Sequence, residues 1–336
     1  MKIFSLRTLM LSSAVALGLL ASAPEVYAQT FKLTHQYREG TDARDRAARV
    51  FIEELERLGS DIRIRVYPGN SLITAPPAQY DALLQGTIEM AVFTLVYGSG
   101  KVPEFSGTIL PGAVNSLDHA ASLKGSSYHE QLQAIAENNG LHILTWWWTE
   151  GGFATRDTPV MGPESVAGLK LRGGDKSIDT LLSASGASVF SMPSTELYSA
   201  FQTGVLDGTM TSFESFQSMR LYEQTKHATL GGDYTIFMVL QPLVISKTAW
   251  DSLSDEQKAD FEAAAEVSNE FFHEEQKKAA ASTIKVFEDA GAEVRQMTAE
   301  EHAEWVALAQ ETSWAEFAEI SDDARALIDA LRSMNQ

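Results

Sequence analysis

The chain has 336 residues, 26 of them Lys or Arg against 45 Asp or Glu, for a formal net charge of −19, and it contains no cysteine. A balance this acidic excludes nucleic acid and anionic lipid surfaces as main partners, because both would repel it. Without thiols there is no disulfide framework, so the chain must hold itself together by burial, which at this length suits about two domains.

In chain order, Lys2 and Arg7 precede an uncharged, mostly apolar stretch, and Val26-Tyr27-Ala28 puts a small residue at −1 and Val at −3 of a cut before Gln29. This pattern predicts a cleavable signal peptide over residues 1–28, with an apolar core too short to span a bilayer, and hence a periplasmic protein not itself embedded in the membrane. Residues 31–37 read as a strand. Residues 42–59 read as an amphipathic helix stopped by Gly59, 62–68 as a second strand, 76–86 as a helix opened by Pro and closed by Gly86, and 87–94 as a third strand. The same order recurs as strand 168–172, helix 175–186, strand 187–192, helix 194–204 and strand 205–212. Laid over 198–212, residues 80–94 match Tyr80 to Tyr198, Ala82 to Ala200, Gly86 to Gly204 and Glu89 to Asp207. A duplicated α/β unit with parallel strands is the expectation. Residues 235–247 read as strands crossing back to the first unit. Residues 254–291 form one long helical stretch without Pro or internal Gly, able to brace both lobes, and shorter helices near 299–317 and 321–333 end the chain.

Two such units facing one another put a cleft at the carboxyl ends of their strands. Those ends bring Tyr37 and Thr94 from the first unit, and Arg172 and Thr211, Ser212 and Phe213 from the second. Arg172 is the informative residue: a guanidinium fork at a strand end suits a ligand carboxylate, and Gly173 and Gly174 after it would let a ligand approach the backbone. Trp146, Trp147 and Trp148, followed by Glu150, lie near the same end, with at most two tryptophans on one face of a strand. Enzyme signatures are missing. The seven histidines form no His-Glu-x-x-His, no Gly-x-Ser-x-Gly is present, and 173–177 (GGDKS) lacks the glycines of a phosphate loop. No catalysis, cofactor or metal is therefore expected, and an exported hydrolase is the weaker alternative.

The segments GLKLRGG (168–174), STELYSAFQTGVLDG (194–208) and RLYEQTKH (220–227), with VYPGNSL (66–72) and YDALLQGTIEM (80–90) before them, resemble the motif series of substrate-binding proteins of tripartite ATP-independent periplasmic (TRAP) transporters, the DctP type. The resemblance covers nearly all of the chain after residue 28. It implies an α/β, two-domain periplasmic-binding-protein fold, class II-like, with the long helix bracing both lobes. One lobe would comprise 29–149 plus 237–276 and the other 150–236 plus 277–336. It also implies closure around a small organic carboxylate, delivery to a TRAP permease in the membrane, and Arg172 in the place of the arginine that clamps the carboxylate. The long helix and motif series favour this type over the binding protein of an ATP-driven importer. Two departures matter. Where many members carry a second arginine shortly after a glycine, this chain has Gly152-Phe153-Ala154, leaving Arg156 as the displaced candidate. Where sugar-acid members have Glu-Asn, it has Thr209-Met210-Thr211-Ser212-Phe213. With Phe213 beside the clamp, the expected ligand is an aromatic or weakly polar monocarboxylate.

Overall fold

The computed structural model describes residues 29–334; the expected signal peptide lies outside them. The first part runs β1 (Thr30–Thr34), α1 (Ala43–Leu58), β2 (Arg63–Tyr67), α2 (Ala78–Leu84), β3 (Met90–Val92), α3 (Leu117–Ser122), α4 (Ser127–Asn138) and β4 (Leu141–Ile143). The long strand β5 (Trp148–Thr155) leads to β6 (Lys170–Arg172), α5 (Lys176–Ala184), β7 (Ser188–Val189), α6 (Leu197–Gln202), β8 (Gly208–Ser212), α7 (Phe213–Ser218) and β9 (His227–Thr229). The return passes through β10 (Met238–Leu240) and β11 (Leu243–Ser246). It ends in α8 (Lys247–Ser252), α9 (Asp255–Asp289), β12 (Glu293–Arg295), α10 (Ala299–Ala309), α11 (Ala315–Ala318) and α12 (Asp322–Met334).

Two sheets result. The first has the order β2-β1-β3-β11-β4, and the second β12-β9-β5-β8-β6-β7 with β10 pairing β5. In each, the first strand of the unit lies between the second and third and parallel to both, and the third strand is flanked by an antiparallel strand, β11 in one sheet and β5 in the other. Each of these antiparallel strands enters its sheet by crossing from the other half of the molecule. The constant offset seen in the sequence is thus a repeated topology. Its two anchoring glycines, Gly86 (φ 67°) and Gly204 (φ 74°), both adopt the left-handed conformation that ends a helix before the third strand.

Local chemistry explains the elements. Helix α1 starts where the Asp42 side chain accepts from the Arg44 N–H and stops at Gly59 (φ 84°), burying Ala43, Ala47, Phe51 and Leu55 along one stripe. Helix α9 is opened by a capping box between Ser254 and Gln257 and continues for 35 residues, about 52 Å. Its first half packs Phe261 edge-on against Phe51 and Phe31, at 5.5 and 6.3 Å, while Ser268 Oγ donates to the Ala47 carbonyl at 2.6 Å. The second half packs Phe287 against Phe216 at 5.4 Å, and Thr283 accepts from Gln217 Nε2 at 2.7 Å. One helix therefore fastens both sheets. Trp147 stacks on Phe272 of α9 at 5.2 Å, while Trp146 and Trp148 meet edge-to-face on the opposite side of the chain. The final helix differs from the division expected for 277–336: α12 packs on α4, back on the first half. Among the described residues no helix is long and apolar enough to cross a membrane.

Candidate functional site

Strand β6 is short and lies between β8 and the edge strand β7, and its last residue is Arg172. The side chain is buried, 4 % exposed. Nε donates to the Met192 carbonyl at 2.8 Å and Nη1 reaches the Met210 carbonyl at 3.4 Å, while Nη2 makes no hydrogen bond to the described residues. The two glycines after it line the same cavity and also make room for the side chains packed on them. A Cβ on Gly174 (φ 90°) would stand 2.3 Å from the guanidinium carbon, and one on Gly173 would stand 2.5 Å from Ile178 and 2.6 Å from Asp179. Gly174 is thus the floor on which the guanidinium lies, and Gly173 lets α5 pack close. Asp175 makes no hydrogen bond with Arg172. It caps α5 by accepting from the Ser177 N–H at 2.9 Å, and it receives Ser99 Oγ at 3.1 Å and Ser106 Oγ at 3.0 Å from across the cleft. Asp179 feels the Arg172 charge. Burial lifts its carboxyl to about 6 even though the Arg172 charge works to lower it.

The cleft is closed over Arg172. What is left is a cavity of about 20 Å³, walled on the second side by Arg172, Thr211, Ser212, Ser194 and Ser215. The first side contributes Thr94, Val96, Tyr97 and Ile109, and the crossing strand adds Phe237, Val239 and Gln241. Tyr97 and Gly174 also line a groove of about 680 Å³ outside, so Tyr97 stands between the inner cavity and the solvent side. The Tyr97 hydroxyl accepts from the Ser194 N–H at 3.1 Å and donates to Ser194 Oγ at 3.3 Å. Burial alone would raise its pKa; the Arg172 charge and the Ser194 hydrogen bonds outweigh that and bring it below the usual value.

Of the residues singled out in the sequence, Arg172, Thr94, Thr211 and Ser212 meet at this cavity. Tyr37 lies one layer back, its hydroxyl 2.8 Å from Thr94 Oγ1. Phe213 does not reach the cavity. The strand alternation ends at Ser212, whose hydroxyl caps α7, and Phe213, as the first helical residue, turns into a fully buried core with Phe216 and Phe287. Trp148 is on the other face of β5, lining a separate recess with Asn269 and His273 of α9. Glu150, two residues on, shares that face, and burial pushes its carboxyl up to about 7. Arg156 is at the wrong end: β5 runs antiparallel to β8, so Gly151 pairs with Ser212 at the cleft and Thr155 with Gly208 far from it. There the Arg156 Nη1 donates to the Phe201 carbonyl at 2.9 Å.

Sequence reading missed Gln241, Phe237, Tyr97 and the buried Arg44, which stands behind Gln241 at 2.7 Å. Two signals were available. Gln241 is the single polar residue in the apolar run 236–245, and Arg44 puts a cation in the first turn of a helix, against the helix dipole.

With this geometry in hand, residues 36–320 match the family described as bacterial extracellular solute-binding protein, family 7 (DctP). The chain belongs to that family. It is 35% identical to a solute-binding protein of Albidiferax ferrireducens over 298 residues, 87% of this chain and 88% of that protein. It is 27% identical to the C4-dicarboxylate-binding periplasmic protein DctP of Rhodobacter capsulatus over 301 residues, 88% and 89% of the two chains. Among solved structures, a TRAP periplasmic solute-binding protein from Rhodoferax ferrireducens with bound malonate superposes with a TM-score of 0.88 at 33% identity, covering 90% of this chain and 98% of that one. DctP proteins are substrate-binding components of transport.

Two predictions follow from the seat of the cation and from Glu150. Gly174→Ala would force the guanidinium off its floor and strain a left-handed backbone by about 1–2 kcal/mol. The protein should still melt cooperatively, with affinity for its carboxylate lowered about tenfold or more by titration calorimetry; an unchanged affinity would contradict the seating. Glu150 has a folded-state pKa near 7 against an ordinary value of 4.5, so its contribution to stability is intact below about 4.5 and is lost as pH rises through 7. In urea titrations Glu150→Gln should therefore gain about 3 kcal/mol on the wild type between pH 4 and pH 8, whereas a constant difference would show that Glu150 is not held protonated.

Proposed function

We propose that this protein is the periplasmic receptor of a TRAP transporter, which takes a small, compact carboxylate into the cleft between its two halves and presents it to a membrane permease. The observation that carries the proposal is Arg172. It is a buried guanidinium with an unused edge on the cavity, held by two carbonyls and a glycine floor, in a chain that is otherwise acidic. A planar fork so placed pairs with a carboxylate through two parallel charge-assisted hydrogen bonds.

The structure argues for a smaller ligand than the sequence suggested. The aromatic acid rested on Phe213, which belongs to the core, and the apolar walls are instead Phe237, Val239, Ile109 and Val96. A cavity of about 20 Å³ holds about one water, so a three- or four-carbon acid would open the cleft less than a benzoate or a uronate. The malonate bound by the Rhodoferax ferrireducens protein is of that size and supports the same choice. Closure would trap the acid. The cross-cleft bonds from Ser99 and Ser106 to Asp175 and from Ser194 to Tyr97 form only when the halves meet, which ties capture to a hinge motion.

The test is a thermal-shift panel of malonate, succinate, benzoate and galacturonate, with small-angle scattering on any binder. Malonate or succinate at about 100 times its dissociation constant should stabilise by about 2.7 kcal/mol and reduce the radius of gyration. Binding of galacturonate or benzoate alone would refute the size argument, and binding without contraction would refute capture by closure.

A further inference from the structure

The wall of the cavity at Gln241 is fixed by a residue outside the cavity's lining. Arg44, in the first turn of α1, is fully buried. Its Nε and Nη2 donate to the two oxygens of Asp42 at 2.8 and 2.7 Å, its guanidinium carbon lies 3.7 Å above the centre of the Tyr37 ring, and Nη1 donates to Gln241 Oε1 at 2.7 Å. Arginine has no acceptor atom, so the Gln241 amide has one permitted orientation, oxygen towards Arg44. Thr149 Oγ1 donates to the same oxygen at 3.0 Å. The amide NH2 is consequently turned the other way. One of its hydrogens goes to Thr94 Oγ1 at 3.1 Å, leaving the second unspent at a wall that Gln241 and Thr94 both line. No Asp or Glu side chain lines this cavity, while the hydroxyls of Thr211, Ser212 and Ser215 do.

We infer that Arg44 acts as a positioning residue which, through Gln241, makes that wall of the cavity a hydrogen-bond donor, so that the site selects acids carrying a second oxygen acceptor, a carboxylate or a carbonyl, at the end opposite the carboxylate held by Arg172. This rests on the proposed carboxylate-receptor function and sharpens it. An ammonium at that end would meet an N–H already aimed at it and lose its hydration without a partner. Because Arg44 is neutralised by Asp42, its part is to set the direction of the amide rather than to supply charge.

Three acids of matched length separate the possibilities: malonate, ending in a carboxylate, acetoacetate, ending in a methyl ketone, and β-alanine, ending in an ammonium. In calorimetry the wild-type protein should bind malonate and acetoacetate at least about 30-fold more tightly than β-alanine. In Gln241→Glu one oxygen still accepts from Arg44 while an anionic oxygen replaces the NH2. Malonate and acetoacetate should then weaken by about 30-fold or more and β-alanine should strengthen, reversing the order. A merely structural role for Gln241 would weaken all three together, and that result would overturn the inference. So would wild-type protein binding β-alanine as tightly as malonate, a measurement that stands even if the variant does not fold. Failure of the wild type to bind any carboxylate, these three or the wider panel, would instead bring down the receptor function and the inference with it.

Discussion

The seat of Arg172 depends on one contact: its guanidinium lying against the backbone of Gly174. Any side chain at 174 would occupy the guanidinium's own volume, and the glycine's φ of 90° is one that L side chains rarely adopt. The contact exists because β6 ends at 172 between two parallel neighbours, which puts the cation at the carboxyl edge of the second sheet, and because α5 starts four residues on, at Lys176, so the chain must turn sharply to cover the sheet. Sheet, turn and helix cap are each ordinary. Together they hold a buried cation on the cavity with one edge making no hydrogen bond to the described residues.

The first half answers with a cation of its own, spent internally. Arg44 is neutralised by Asp42 and stacked on Tyr37. The starts of α1 and α7 also meet here. Arg44 lies 3.4 Å from Ser212 Oγ and from Ser215 Oγ, and Glu214 accepts from the Ala43 N–H at 3.3 Å and from Gln276 of α9 at 3.1 Å. Burial raises the Glu214 carboxyl, with Asp42 adding in the same direction. Each such buried polar contact is worth little net, because it stands in for one made to water.

Most of the fold was legible because its period signals are strong. The amphipathic stripe of α1, the uninterrupted run of α9 and the helix-ending glycines 86 and 204 act locally and left their marks in the chain. Arg172 was legible because strand ends face the cleft in open parallel sheets. The errors share a cause. Phe213 was placed by extending the strand one residue past Ser212, and a hydroxyl cap reverses which way the next side chain points. Trp148 and Glu150 fell on the wrong face and Arg156 at the wrong end because the direction of β5 relative to β8 is a tertiary fact. Gln241 and Arg44 are 197 residues apart in sequence and meet only through packing, so no local pattern joins them.

The most direct test of the central claim is calorimetry of the carboxylate ligand on folded Arg172→Ala and Arg172→Lys proteins. If the guanidinium is the clamp, Ala should cost about 3 kcal/mol or more, because it leaves a buried carboxylate unpaired. Lys should recover only part of that loss, since a point charge cannot reproduce the fork or rest on Gly174 in the same way. Wild-type affinity in either folded variant would contradict the account.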